Sequence, residues 1–254
     1  MQPEERQARI EAYLLKAEFA SLEELVHFSG ASISTVRRDL LVLEGGKRIR
    51  RTHGGARSLQ PPKTDEFVFS ARDTRQAVQK EAIGTACAAL VGPGQTVTLD
   101  SGTTCFQAAR QLGERAGQVI TNSLPVANLF SSSSRVELHL SGGVLYPRLG
   151  TLVGPQATET FSRTHADVAI LSASGIAEDG IYSSHALIVD IQRAMIAGAD
   201  RVIFGLDHTK FGRRSLFPLS DLTDVDVIVT DPGAPADLLA ALRARGLEVV
   251  VAGK

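Results

Sequence analysis

Two groups of residues in this sequence have types and spacing that could do chemistry. The first is basic. Ser32, Ser34, Thr35, Arg37 and Arg38 are followed by Lys47-Arg48-Ile49-Arg50-Arg51-Thr52-His53-Gly54-Gly55. Residues 32–57 carry seven basic side chains against Asp39 and Glu44, while residues 1–31 carry three against six glutamates. The whole chain has a net charge of −1, so this dense patch on an otherwise acidic molecule reads as the footprint of a nucleic-acid contact. An arginine fork suits guanine O6 and N7, and hydroxyls with helix N-terminal amides suit phosphate.

The second group consists of short polar loops that follow apolar runs. Asp100-Ser101-Gly102-Thr103-Thr104 offers hydroxyls, a glycine and the amides of a helix start, a combination suited to an anion. Thr121-Asn122-Ser123 and Ser141-Gly142-Gly143 follow two later runs. Asp207-His208-Thr209-Lys210 brings a carboxylate and a cation after another. Four such loops on one rim would form a binding site for a small ligand.

The elements that must position these groups are legible in outline. Pro3 with Glu4 and Glu5 opens a first helix. Ser21 and Glu24 form a capping box for a second, Ser29-Gly30-Ala31 makes a turn, and Ser32 caps a third. On that third helix Ile33, Val36, Leu40 and Leu43 form the expected inward stripe, and Gly45-Gly46 ends it in a left-handed residue. Ser34, Thr35 and Arg38 then face outward. Arg37 sits at the border, placed to hold a phosphate or to pair with Glu44. Residues 1–57 thus read as a winged helix-turn-helix, the helix-turn-helix itself at about 20–39, with Arg50, Arg51 and His53 on the wing.

Residues 58–79, with Pro61-Pro62 and little periodicity, read as a linker, docked by Phe67, Phe69 and Arg72. From residue 80 to 254 apolar runs alternate with helical stretches: Thr96 to Leu99, Val119-Ile120, Val136 to Leu140, Val168 to Leu171, Val202 to Leu206, Val225 to Val229 and Val249 to Val251. The fold class is α/β, a mostly parallel sheet covered by helices, whose ligands bind beyond the carboxyl ends of the strands.

Composition narrows the classes further. With 43% apolar residues the chain can bury an ordinary core, and no apolar run reaches the ~20 residues that span a bilayer. Met1 to Glu5 is polar and acidic, unlike a signal peptide, so a cytoplasmic protein with no membrane partner is expected. Cys87 and Cys105 form no redox or metal motif, and Cys105 reads as filler. The six histidines stand at no ligand spacing, so neither a metal nor another cofactor is expected, and His208 alone is kept as a ligand contact.

Ser34-Thr35-Val36-Arg37-Arg38-Asp39-Leu40, Leu43-Glu44 and Arg51-Thr52-His53-Gly54-Gly55-Ala56 together resemble the DeoR family of bacterial transcriptional regulators. That family usually has apolar residues where Lys47 and Arg48 stand, which implies a looser wing or a stronger grip on phosphate. The later loops resemble the family's sensor domain, which is similar to ribose-5-phosphate isomerase. The resemblance implies a repressor of carbohydrate genes that binds double-stranded operator DNA as a dimer or tetramer and answers to a phosphorylated sugar. Ser101 to Thr104 and Lys210 would hold the phosphate, while Asp100, Asn122 and Gly142-Gly143 would face the sugar. Asp190 precedes Arg193-Ala194-Met195-Ile196 where the family more often has glutamate, and Gln192 stands where it has lysine. The alternative from another class is an active sugar-phosphate isomerase carrying a DNA-binding module. No second glycine-rich loop supplies the glutamate and lysine that such an enzyme uses, so no catalytic residue is assigned.

Overall fold

The computed structural model describes residues 2–17, 19–46, 48–52, 54–59 and 68–253. Its contacts divide the chain into two units, residues 1–66 and 67–254.

In the first unit, α1 (Pro3–Ala17) has its proline and two acids in the opening turn, where a missing N–H is harmless and negative charge meets the helix dipole. The strand β1 (Phe19–Ser21) runs directly into α2 (Leu22–Ser29). The capping box is formed: Ser21 Oγ accepts from the Glu24 amide at 3.2 Å, and Glu24 Oε2 accepts from the Ser21 amide at 2.7 Å. Gly30, at φ 65°, supplies the left-handed residue that ends α2. Ser32 caps α3 (Ile33–Gly45), and β2 (Ile49–Thr52) with β3 (Gly55–Ser58) forms the wing.

Two expectations for this unit are corrected. Gly46 has φ −76°, so α3 ends without a left-handed residue. Ile33 is 50% exposed, because a first-turn side chain leans toward the helix N-terminus, past the packed turns. The wing also has a third strand, since β1 pairs antiparallel with β3 to give the order β1-β3-β2. A Cβ on Gly55 would lie 2.0 Å from the Ala20 carbonyl oxygen, so glycine is what lets β1 approach. The core joins Ile10, Leu14, Leu25, Val36, Leu40, Leu43 and Ile49. Asp39 is buried beside it, and Arg6 Nε and Gln7 Nε2 donate to it at 2.6 and 2.9 Å, which ties α1 to α3.

The second unit begins with α4 (Phe69–Thr74) and α5 (Ala77–Ala89), so the C-terminal half of the expected linker is helical and belongs to this unit. Phe69 packs edge-on against Phe106, with ring centroids 5.4 Å apart. Pro61-Pro62 and Phe67 lie outside the described residues. Next come β4 (Thr96–Leu99), α6 (Thr103–Leu112), β5 (Gln118–Thr121), α7 (Leu124–Phe130), β6 (Glu137–Leu140), β7 (Val144–Tyr146), β8 (Thr151–Val153) and α8 (Pro155–Ser162). They are followed by β9 (Ala166–Leu171), β10 (Gly175–Ala177), β11 (Gly180–Ser183), α9 (Ala186–Ala197), β12 (Ala199–Gly205), β13 (Phe217–Ser220), β14 (Val227–Thr230), α10 (Ala236–Ala244) and β15 (Glu248–Val251).

The seven apolar runs read as strands form one parallel sheet, in the order β15-β14-β12-β9-β4-β5-β6. Leu99, Val119, Ile170, Ile203 and Val229 are wholly or almost wholly buried in it, as expected of strands covered on both faces. After β4 the chain moves to β5 and β6 on one side, then returns to build β9, β12, β14 and β15 on the other. The order therefore reverses between β4 and β9, where open sheets of this kind leave a crevice at their carboxyl ends. The antiparallel pair β7-β8 and the small sheet β10-β11-β13 decorate the sheet; their three- and four-residue strands are too short for a periodic signal.

Candidate functional site

The outward face of α3 carries the residues singled out for nucleic acid. Ser34, Arg37 and Arg38 are exposed, and Thr35 is half-buried. Ser32 Oγ accepts from the Thr35 amide at 3.3 Å and lies 2.9 and 2.8 Å from the hydroxyls of Ser34 and Thr35. These groups therefore form one polar cluster at the helix start. At about 100° per residue Arg38 lies opposite Val36, Leu40 and Leu43, whose burial fixes the orientation of the helix.

The wing cations divide into two sets. Arg51 donates from Nε to Glu44 Oε2 at 2.6 Å and from its amide to Oε1 at 3.0 Å, and these two bonds lower the Glu44 pKa. Glu44 is thus taken by Arg51 and not by Arg37, which leaves Arg37 without an ion pair among the described residues. Arg48 is held by Glu11 of α1, with Nε to Oε1 at 2.7 Å, so it anchors the wing internally. Arg50 and Arg57 are directly opposed across β2 and β3, both exposed and without an ion pair among the described residues. Like charges facing each other across strands are unfavourable unless an anion lies between them. Arg57 was not assigned a role from the sequence, because only the strand register makes it Arg50's partner. His53 and Lys47 lie outside the described residues. Arg50→Ala is expected to weaken binding to all DNA sequences alike and to reduce the salt slope by about one unit; titrations of random duplex at several salt concentrations check this.

The four polar loops follow β4, β5, β6 and β12, so the sheet does bring them to one edge. Gly102 is required there, since a Cβ on it would lie 2.8 Å from Ser172 Cβ. Thr103 and Thr104 are buried in the first turn of α6, and their hydroxyls have no hydrogen-bond partner among the described residues. Other loop residues are spent on structure. Thr121 Oγ1 donates to the Leu99 carbonyl oxygen at 2.8 Å, and Ser123 Oγ accepts from the Val126 amide at 3.3 Å. Asp207 caps the turn of Thr209, and His208 Nδ1 is 2.8 Å from Asp231 Oδ2. Ser141 Oγ and Asn122 Oδ1 are buried with no partner among the described residues. Gly143 sits at φ 121°, with space for a Cβ blocked by the Val153 carbonyl oxygen at 2.6 Å, while Gly142 is exposed.

Two cations join Lys210 that the sequence did not mark as ligand contacts. Lys80 on α5 is 5% exposed, and its Nζ donates to the Arg72 carbonyl oxygen. Burial, reinforced by Arg72 and Lys210, lowers its pKa to about 8 against the pull of Asp207. The Lys210 pKa is lowered by burial, then by Arg72, Arg213 and Arg75; that of Arg72 is lowered by burial, with Asp100 opposing. Packing explains the convergence. Gly84 lets α5 lie directly against Gln107 and Ala108 of α6, and Gly205 at the end of β12 touches Thr104. Lys80 and Lys210 thus share Asp207, whose carboxylate is already bonded to Thr209, while Arg72 acts on both lysines and is itself drawn by Asp100. That excess of half-buried and buried positive charge suits an anion.

Cys105 is fully buried and its thiol pKa is pushed well up by burial and Asp100, so it is no thiolate nucleophile. A groove of about 630 Å³ lies elsewhere, near the amino ends of β12 and β14. Asp179, Asp221, Asp224 and Asp226 line it with Arg193, the wrong balance of sign for a phosphate. No helix among the described residues is long and apolar enough to cross a membrane.

Comparison with known proteins agrees with both units. Residues 6–61 match the DeoR-like helix-turn-helix domain, and residues 75–232 match the DeoR C-terminal sensor domain. The chain is 32% identical over 252 residues to the HTH-type transcriptional repressor GlcR of Bacillus subtilis, covering 99% of this chain and 97% of that protein. It is 33% identical over 233 residues to the transcriptional repressor AccR of Agrobacterium fabrum, covering 91% and 90%. It is also 32% identical over 228 residues to the glycerol-3-phosphate regulon repressor of Escherichia coli, covering 88% and 89%. These relatives are regulators, so the isomerase alternative is set aside. With both parts matched and the likeness running nearly end to end, the chain belongs to the DeoR family of DNA-binding transcriptional regulators.

Proposed function

We propose that this protein is a repressor of carbohydrate genes, working as a dimer or tetramer, whose affinity for operator DNA is set by a phosphorylated sugar. Ser32, Ser34, Thr35, Arg37 and Arg38 meet the operator from α3, and Arg50 and Arg57 meet its backbone from the wing. The phosphate is taken by the first turn of α6 together with Arg72, Lys80 and Lys210. The single observation that carries the reading is the convergence of those three cations, two of them on the already bonded carboxylate of Asp207, beside threonine hydroxyls that are unpartnered among the described residues. A relative named for a glycerol-3-phosphate regulon fits a phosphorylated polyol as ligand class.

The ligand acts by linkage: it changes DNA affinity only insofar as it binds the DNA-competent arrangement better or worse than the other. The test is calorimetric titration of the protein with phosphorylated sugars, with and without operator DNA. Lys210→Ala is expected to abolish phosphate-dependent binding while leaving DNA affinity in the absence of ligand nearly unchanged. Equal binding of a sugar and its phosphate ester by the wild type would rule out the phosphate site.

A further inference from the structure

Gln192 on α9 is 2% exposed. Its amide nitrogen donates twice, to Asp100 Oδ2 and to the Ser172 carbonyl oxygen, both at 2.9 Å. These two acceptors stand at the carboxyl ends of β4 and β9, where the strand order reverses. They also fix the orientation of the carboxamide, because its oxygen could face neither of them. That oxygen, Oε1, is buried and meets no donor among the described residues.

Asn122 repeats the arrangement one strand away. Its Nδ2 donates to the Leu152 carbonyl oxygen at 3.2 Å, and its Oδ1 is buried without a partner among the described residues. The Leu99–Thr121 register places Asp100 and Asn122 side by side at the ends of β4 and β5. Asp100 accepts from the amides of Ser101 and Ser172 at 2.7 and 3.3 Å, and has no ion pair among the described residues. The carboxylate of Asp100 and two buried amide oxygens that lack a donor among the described residues thus stand together at the carboxyl ends of these strands, and Asp100 acts on Arg72 of the cation cluster. A buried acceptor without a donor is unfavourable, and a ligand that brings hydrogen-bond donors relieves it.

We propose that Gln192 determines which phosphorylated ligand is accepted: its Oε1 takes a hydrogen bond from a hydroxyl or ammonium group of the ligand, with Asn122 Oδ1 as a second acceptor. Gln192 has this role only if the cation cluster holds the phosphate, and the experiment separates the two. Lysine at this position keeps a donor for Asp100 and Ser172 but removes the acceptor. Gln192→Met, neutral and of similar length, makes the same point should lysine unfold the chain.

The probes are inorganic phosphate, glycerol 3-phosphate, fructose 6-phosphate, glucose 6-phosphate and glucosamine 6-phosphate, titrated calorimetrically against the full chain. At least one organic phosphate is expected to bind the wild type roughly tenfold or more tighter than inorganic phosphate, through groups a matched site rewards. Gln192→Lys is expected to bind inorganic phosphate at least as well as the wild type and to lose that preference. A loss greatest for glucosamine 6-phosphate identifies an ammonium donor, and an even loss identifies a hydroxyl. If the preference survives in both variants, or if no organic phosphate surpasses inorganic phosphate, Gln192 does not read the ligand although the phosphate site stands. If no probe binds the wild type at all, the phosphate site itself falls, and Gln192's role with it.

Discussion

Arg38→Ala is expected to weaken operator binding by about 1–3 kcal/mol, or roughly 5- to 150-fold, and to flatten the discrimination among single-base variants. The expectation follows from orientation and from freedom. Val36, Leu40 and Leu43 are buried, which turns Arg38 outward on the opposite face of α3. No acid holds its guanidinium among the described residues, whereas Arg6, Arg48 and Arg51 are each tied to a carboxylate. Arg37 likewise has no ion pair among the described residues but lies at the edge of that face, so Arg37→Ala is expected to lower affinity while leaving base preference intact. Fluorescence titrations on an operator selected from random duplexes, and on its single-base variants, measure both quantities. Unchanged discrimination in Arg38→Ala would mean that α3 does not enter the groove in this orientation.

Ligand affinity is expected to fall roughly tenfold per pH unit above pH 8. Lys80 sets this limit, since burial and neighbouring cations bring its pKa down to about 8. Below that value the unliganded protein already carries the proton, and binding takes up none. Above it the phosphate must restore the proton, because an adjacent anion favours the charged form. The sign for stability is opposite: between about 8 and the unfolded value of 10.5, the unfolded chain binds the extra proton, so this group makes the unliganded protein more stable as pH rises. At the acid end a phosphate monoester loses its second charge near pH 6, so affinity peaks between about 7 and 8. Calorimetry in buffers of different ionisation enthalpy is expected to show uptake of about one proton at pH 9 and none at pH 7, with the pH 9 uptake absent in Lys80→Met. Constant affinity from pH 7 to pH 10 would exclude Lys80 from the ligand's phosphate.

Features decided by local free energies were legible from residue order alone. The Ser21–Glu24 capping box, the Ser32 cap and the left-handed Gly30 involve atoms within four residues of one another, so they are visible without a fold. The apolar runs announced seven strands because burial on both faces demands them, and the strand–helix alternation made the sheet parallel. The exposed side of α3 followed from the same periodicity, failing only at Ile33, where the helix has no preceding turn to pack.

Tertiary structure decided which charges are free and which atoms meet. Glu44 could have paired with Arg37 by helical spacing, but the wing folds Arg51 onto it. Arg57 became the partner of Arg50 only through the β2–β3 register, and β1 could be added only because Gly55 has no side chain. Arg72 and Lys80 lie before the first strand of their unit, yet the packing of α4 and α5 on α6 carries them to Lys210, which is far along the chain. Asp100, Ser172 and Gln192 meet because the strand order reverses between β4 and β9. Such long-range meetings depend on the packing of whole helices and strands, and that packing is a sum of many contacts of which no single residue type or spacing is a sign.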